Sequence, residues 1–298
     1  MKILIFGAGY LGNRCAEEWI HEGHEVIVSP IRVQSVEDAL RGIHTHKPEA
    51  VFNAAGVKGT PNVDWCEDHV LETIRGNTVL PLLIADACQQ ENVYFLHIGS
   101  GCVYYGDSSH ADKLWREHDH ANPSVVYSRS KYAADLALAT FKNVGIARIR
   151  MPLDSKPSPG NLIDKIVSYP EVIDVENSVT IVDDMVEVFR QLIEKKGEGI
   201  FHVTNPGTIR HREILDLYHE IVDPEHTCHW ITNEDLVKRG LAKKGRSNNF
   251  LASERLAELG ITMRPIKEAL RDTLEKYARA KQSCRCEDCD GGCGCCGS

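Results

Sequence analysis

The sequence predicts a doubly wound α/β fold: a parallel sheet with helices on both faces, and a smaller, mostly helical lobe after it. Three observations carry this. Short apolar runs alternate with amphipathic segments through the first 152 residues. A glycine-rich loop, Gly7-Ala8-Gly9-Tyr10-Leu11-Gly12, separates the first run from the first amphipathic segment. The texture then changes at "DSKPSPGN", beyond which the elements are shorter.

In chain order, "KILIF" (2–6) reads as a strand buried on both faces, since it is continuously apolar and bounded by glycine. The segment after Gly9 has apolar residues at helical spacing and Gly23 to stop it. Residues 24–29 form a second strand, and 35–48 a helix with a serine cap and a closing proline. "AVFNAAG" (50–56) is a third strand, 67–90 one long helix, and "VYFLHIGS" (93–100) a fourth strand. A helix follows over 125–145, then a strand over 146–152. The second part is expected to hold helices near 160–168, 183–196, 210–221, 251–259 and 265–280, with a strand at 199–204. This gives a dinucleotide-binding domain over 1–152, a substrate lobe over 153–280 in which elements of the first fold recur, and a tail over 281–298.

The 298 residues suffice for such a core without disulfide staples. The net charge of −9 argues against a nucleic-acid binder, which needs a basic face. No apolar run has membrane-spanning length, and the N-terminal run turns directly into the glycine loop instead of continuing as a signal peptide. The expected setting is the cytoplasm.

In the glycine loop, Gly7 permits a tight turn, Gly9 lets backbone approach a diphosphate, and Gly12 lets helix and strand pack closely. The helix start, with Tyr10 and Leu11, presents free N–H groups to the anion. The end of the second strand carries Ser29 and Arg32 and no acid. That favours a 2′-phosphate, so NADPH is expected over NADH.

Tyr127 and Lys131 are four apart on a predicted helix and share one face. A neighbouring ammonium would lower the phenol toward neutrality and make it a proton donor to a carbonyl oxygen. Ser100, at a strand end, is placed to hydrogen-bond the same oxygen. With the glycine loop, this set resembles the extended short-chain dehydrogenase/reductase superfamily from residue 1 to about 280. The resemblance implies that Asn53, Ala54, Ala55 and Gly56 lie by the cofactor and that Asn77 braces the strand ends. It also suggests a homodimer, since members often pair through two long helices. The glycine loop departs from the extended pattern Gly-x-x-Gly-x-x-Gly by being one residue shorter.

Longer strings, "FNAAGVKGTPNVDWCEDHVLETIRGN" (52–77), "RMPL" (150–153), "NLIDKI" (161–166), "VTNPGTIRHREIL" (203–215) and "RSNN" (246–249), are similar to the plant nucleotide-rhamnose epimerase/reductases. Those enzymes convert UDP-4-keto-6-deoxy-glucose to UDP-L-rhamnose, inverting C3 and C5 and reducing C4 with NADPH. Inversion beside a ketone needs further acid/base groups, and a thiol is a suitable one. Cys102 follows Ser100 by two residues, so in an extended segment both face one side. The resemblance implies that Cys102 and Lys165 are that pair, and that Asp64, Trp65 and Glu67 shape or brace the floor of the site. Asn161, Arg246 and Asn248 are candidate donors to the nucleotide diphosphate, against readings as loop asparagine, helix cap or surface arginine. A reductase without epimerase activity, and a non-catalytic cofactor-binding regulatory subunit, are the alternatives.

Cys284, Cys286, Cys289, Cys293, Cys295 and Cys296 crowd the tail, which has too little apolar content to fold alone. Incidental cysteines, a soft-metal or redox appendage, and an intermolecular cross-link all fit. None of the fourteen histidines has a persuasive metal-ligand spacing. His97 reads as a core residue, and the run His118-Asp119-His120 as solvated.

Overall fold

The computed structural model describes residues 1–60 and 62–287, the side chains of 284–287 excepted. Six parallel strands form the central sheet: β1 (Lys2–Phe6), β2 (Glu25–Ser29), β3 (Ala50–Asn53), β4 (Tyr94–Ser100), β5 (Val144–Ile149) and β6 (Gly199–Val203), in the order β6-β5-β4-β3-β1-β2. The order reverses at β1, which pairs with β2 on one side and β3 on the other. Such a reversal leaves a crevice beyond the carboxyl ends of the two central strands. The glycine loop leaves β1 there, and the Ala54–Gly56 turn leaves β3 beside it.

Alternation within β1 explains the two layers. Ile3 and Ile5 face a core with Trp19, Phe52 and Phe189, whereas Leu4 and Phe6 face one with Ala39, Ile43, Ile84 and Leu138. Trp19 packs edge-on to Phe52 at 5.2 Å between ring centroids, and Phe52 lies 5.5 Å from Phe189. Phe189 belongs to the helix Val182–Glu194, so the chain returns to the sheet after its first 152 residues. A separate cluster, including Leu153, Ile163, Ile214, Leu270 and Tyr277, holds the remaining C-terminal elements together.

Several boundaries differ from expectation. The long helix over 67–90 is interrupted: Trp65–Asp68 and Val70–Ile74 precede a π turn at Arg75–Val79, and Leu80–Gln90 follows. Pro81 lacks the N–H that would continue the i→i−4 ladder. The next helix runs only over Val126–Leu138, because Asn143 takes a left-handed φ of 62° and β5 starts at Val144. Met151, at φ 46°, ends the extended run expected to reach 152 and turns Pro152–Leu153 onto Thr180–Ile181. Further short pairings, Glu171–Ile173 with His229–Ile231 and Glu176–Asn177 with Ile209–Arg210, were not foreseen, and make the second part less purely helical. Nor was the helix Asn233–Lys238, capped reciprocally by Thr232 and Asp235. The last helix extends over Ile266–Glu287, so the tail does not begin at 281. The tail-cysteine readings lie outside the described residues and side chains. Among the described residues no helix is long and apolar enough to cross a membrane.

One polar pair is deep in this core. Arg148 on β5 donates through Nε to Asp135 at 2.7 Å and through Nη1 to the Tyr104 hydroxyl at 2.6 Å. The side chains of Arg148 and Asp135 are 1% and 0% exposed. Removing one partner strands a buried charge, so Arg148→Met is expected to lower unfolding free energy by about 3–5 kcal/mol in urea titration. The double variant Arg148→Met/Asp135→Leu should recover only part of the loss, since removing Arg148 then leaves no stranded carboxylate but the buried Lys131 loses the charge that opposes its desolvation.

Candidate active site

The glycine loop and the turn after β3 interlock. A Cβ at Gly7, whose φ is +109°, would stand 2.3 Å from the Ala55 nitrogen, and one at Gly12 would stand 2.0 Å from the Gly7 carbonyl oxygen. Gly9 differs: an added Cβ would meet nothing within 4 Å, so bare backbone faces open space. The helix Tyr10–His21 begins there with no side-chain cap and no acid in its first turn. These features fit the diphosphate of a dinucleotide. Arg32 is exposed and forms no ion pair among the described residues, which fits a 2′-phosphate beyond β2. Ser29 is buried, and its oxygen accepts the Ile31 N–H at 3.1 Å, shaping the turn that carries Arg32 outward. Leu11 packs partly on the core. The Tyr10 hydroxyl donates to Asp154 at 2.6 Å and ties the glycine loop to the segment after Leu153.

The cofactor contact expected of Asn53 is corrected, and Asn77 has the bracing place expected of it. Asn53 is fully buried, holds His97 at 3.0 Å and accepts the Ala55 N–H. Asn77, in the π turn, accepts from Val57 N–H and donates to the Val57 carbonyl, each at 2.8 Å, and also donates to Ser130. Both side chains are fully buried and bonded within the protein, so they brace the site rather than reach a ligand.

Lys131 is buried and donates to the Ile98 carbonyl at 3.0 Å. A Cβ on Gly56 would lie 3.4 Å from its Nζ, so the missing side chain leaves Lys131 facing the turn after β3. Burial lowers the Lys131 ammonium to about 8, opposed by Asp135. Tyr127, one turn earlier, lies close enough to Ser100 for the serine to act on its phenol. Its phenol is raised, not lowered as the Tyr–Lys spacing suggested. Burial dominates, the Cys102 sulfur adds to it, and the opposing influences are Ser100 and the Arg150 guanidinium rather than Lys131.

Ser100 and Cys102 do come together, but not through an extended segment. Residues Gly101–Val103 form a 3-10 turn, and the Ser100 hydroxyl oxygen caps it by accepting the Cys102 N–H at 3.2 Å. The residue that sequence reasoning missed is Arg150. It is 5% exposed, and its Nη1 donates to Cys102 Sγ at 2.9 Å. Its Nη2 donates to Asn177 at 2.6 Å and to the Ser247 carbonyl, and its Nε is buried without a partner. The available signal was an arginine just past the carboxyl end of β5, the same sheet edge as Ser100.

The substrate-side candidates divide. Asn161 is fully buried and caps the helix Leu162–Ser168, accepting from Ile163 and Asp154 N–H and donating to the Asp154 and Lys156 carbonyls. It is a helix cap, not a diphosphate donor. The fork of Arg246 is filled by Asp64 at 2.8 and 2.9 Å, so it clamps the protein's own loop. Glu67 braces as well, accepting Val126 N–H at 2.7 Å and pairing with Lys244. Asn248 accepts from Asn177 at 3.3 Å and so borders the Arg150 network. Lys165 stands on the helix Leu162–Ser168, in contact with Lys58. Burial first, and then Lys58, push its ammonium below the usual lysine value. Lys58, Gly56, Val57 and Trp65 line an open cavity of about 390 Å³ next to Lys131.

Residues 1–279 match the family model described as RmlD substrate binding domain. A bifunctional dTDP-4-dehydrorhamnose 3,5-epimerase/dTDP-4-dehydrorhamnose reductase of Arabidopsis thaliana is 35% identical over 275 residues, 90% of this chain and 91% of that protein. A trifunctional UDP-glucose 4,6-dehydratase/UDP-4-keto-6-deoxy-D-glucose 3,5-epimerase/UDP-4-keto-L-rhamnose-reductase of the same plant is 33% identical over 276 residues, of which the chain spans only 41% of the length. The crystal structure of the L780 UDP-rhamnose synthase of Acanthamoeba polyphaga mimivirus superposes with a TM-score of 0.86 at 30% identity, over 93% of this chain and 99% of that one. The resemblance read from the strings around Asn53, Arg150, Lys165 and Arg246 is borne out: the chain belongs to the RmlD substrate binding domain family of nucleotide-sugar epimerase/reductases.

Proposed function

We propose that this protein is an NADPH-dependent enzyme that inverts C3 and C5 of UDP-4-keto-6-deoxy-glucose and reduces C4, giving UDP-L-rhamnose. The observation that carries the reading is one cluster at the end of β4: Tyr127 against Ser100, with the Cys102 thiol beside them under Arg150. A reductase needs the first two. A thiol held at the same place is explained by proton transfer at carbons flanking the ketone.

NADPH, held at the glycine loop and Arg32, would supply hydride to C4. Tyr127 gives its proton to the C4 oxygen, and Ser100 orients that oxygen. A raised phenol suits this direction, because the group must arrive protonated and donate only as negative charge grows on the oxygen. Before reduction, Cys102 exchanges a proton at a carbon next to the ketone, with Arg150 donating to the sulfur. Lys165, its ammonium lowered by burial and by Lys58, serves the opposite face. The UDP specificity rests on the relatives that act on UDP-sugars.

Incubation with UDP- or dTDP-4-keto-6-deoxy-glucose and NADPH in D₂O tests the whole reading by NMR. Rhamnose product carrying deuterium at C3 and C5 is expected. Turnover only of substrate that has already been epimerised would reduce the assignment to a reductase, and no NADPH oxidation with any 4-keto sugar would sink it.

The pH dependence of reduction is assigned to Lys131, whose ammonium faces the Gly56 turn where the cofactor would lie and whose charge would favour cofactor binding there. Its charge is present below about 8 and lost as pH rises through that value. The rate is therefore expected to fall above pH 8, with the limb absent from the slower Lys131→Met variant. Stability has the opposite sign. The unfolded chain binds the extra proton between about 8 and the ordinary lysine value, so stability rises with pH across that window.

A further inference from the structure

Between Tyr105 and Val125 the chain forms no helix and no extended strand, only an isolated bridge at Trp115. A loop this long without secondary structure is uncommon in a compact domain. Part of what holds it is visible: Tyr104 donates to the carbonyls of Arg116 and Asp119, and Trp115 Nε1 donates to the Gly106 carbonyl at 2.7 Å. The fold also gathers three side chains that are not adjacent as a set in the sequence. His110 Nε2 lies 3.0 and 2.9 Å from the two Asp119 oxygens, and His118 Nε2 lies 3.8 Å from Asp119 Oδ1. One donor atom from each of the three falls within 4.8 Å of the others.

We propose that His110, His118 and Asp119 form a site for a divalent transition cation, Zn²⁺ by ligand chemistry, which pins this loop. Two imidazoles and a carboxylate are borderline ligands that suit Zn²⁺ better than Ca²⁺ or Mg²⁺. Ligand bonds near 2.0–2.1 Å at tetrahedral angles put ligand atoms about 3.3 Å apart. The observed 2.9 and 3.8 Å from Asp119 to the two imidazoles bracket that spacing, and the two imidazole nitrogens, within 4.8 Å of each other, would close on the ion by side-chain rotation. Water completes the shell on the side of His118, whose side chain is 73% exposed. A second layer is in place, since Asp119 also accepts the Arg116 N–H at 2.7 Å and His110 N–H is held by Ser108. The loop starts three residues after Cys102 and ends two before Tyr127, so the ion would act on the mobility of a segment bounded by the site, not on its chemistry.

Co²⁺ titration of the full chain tests this, because sulfur ligation by the tail cysteines gives a near-ultraviolet charge-transfer band that nitrogen and oxygen ligation lacks. One Co²⁺ equivalent with visible d–d absorption and no matching sulfur band is expected, with Zn²⁺ displacing it. His118→Ala, an exposed substitution, should weaken that equivalent at least tenfold and abolish the Zn²⁺-dependent rise in Tm and in protease resistance of the loop. Unchanged Co²⁺ stoichiometry and affinity in His118→Ala, or cobalt bound through sulfur alone, would overturn the proposal. The reading of the catalytic site is untouched by either result.

Discussion

Tyr127→Phe is expected to lower the rate of C4 reduction by roughly 10²–10⁴-fold, the usual contribution of a positioned general acid. Binding of NADPH, followed by fluorescence, should change little, because the glycine loop and Arg32 do not depend on the phenol. Deleting one hydroxyl leaves the ring in place on the helix Val126–Leu138, so the fold should survive. The geometry makes a further distinction. The phenol is raised by burial and by the Cys102 sulfur, while Ser100 and Arg150 oppose that rise. Ser100→Ala removes one of the two opposing groups and also the cap of the turn that carries Cys102. It should therefore impair both reduction and deuterium exchange, whereas Tyr127→Phe should impair reduction and leave exchange at C3 and C5 running. Equal loss of both activities in Tyr127→Phe would mean that the phenol serves the epimerisation too.

The parts of this molecule that were legible in its sequence are those whose physics is local. A strand buried on both faces must be apolar throughout, which marks β1 without reference to anything else. Gly7 and Gly12 are required by contacts within their own β-turn-α unit and with the neighbouring turn, and glycine is the only residue those distances admit. Other residues stay open between two readings because their roles are set by distant partners. Asn161 as a cap and Asn161 as a ligand donor are identical in sequence; only the return of the Asp154 and Lys156 carbonyls decides. Arg246 reads as a phosphate clamp until Asp64, far back in the chain, fills its fork. Arg150 was invisible for the same reason. Its place depends on the left-handed turn at Met151 and on Asn177 with Thr180, and Ser247, which meet it from two distant segments. The spacing of Ser100 and Cys102 led to the right neighbours by the wrong route, since a turn, not an extended strand, brings them together.

Cys102→Ala is the second large effect, and it divides the two half-reactions. Solvent deuterium should no longer enter the carbon that Cys102 serves, and rhamnose formation from the unepimerised 4-keto sugar should fall by roughly 10²-fold or more, as for loss of an acid/base group. Reduction of a ketone supplied with C3 and C5 already inverted should stay within a few-fold of the parent. The structure explains why the variant should remain folded and why it is not silent. The Cys102 side chain is partly exposed, so truncation opens little buried volume. Arg150 loses its sulfur partner but keeps Asn177 and the Ser247 carbonyl, which hold the guanidinium in place. The same guanidinium faces Tyr127, so freeing Nη1 leaves the reductive acid in its field. Arg150→Met is the complementary experiment. It removes the donor to sulfur and the cation near the phenol together, and should depress both half-reactions, where Cys102→Ala depresses one. If Cys102→Ala formed rhamnose at the parental rate from the unepimerised sugar, the thiol would be a packing residue and the epimerising base would have to be sought elsewhere, first at Lys165 and its neighbour Lys58.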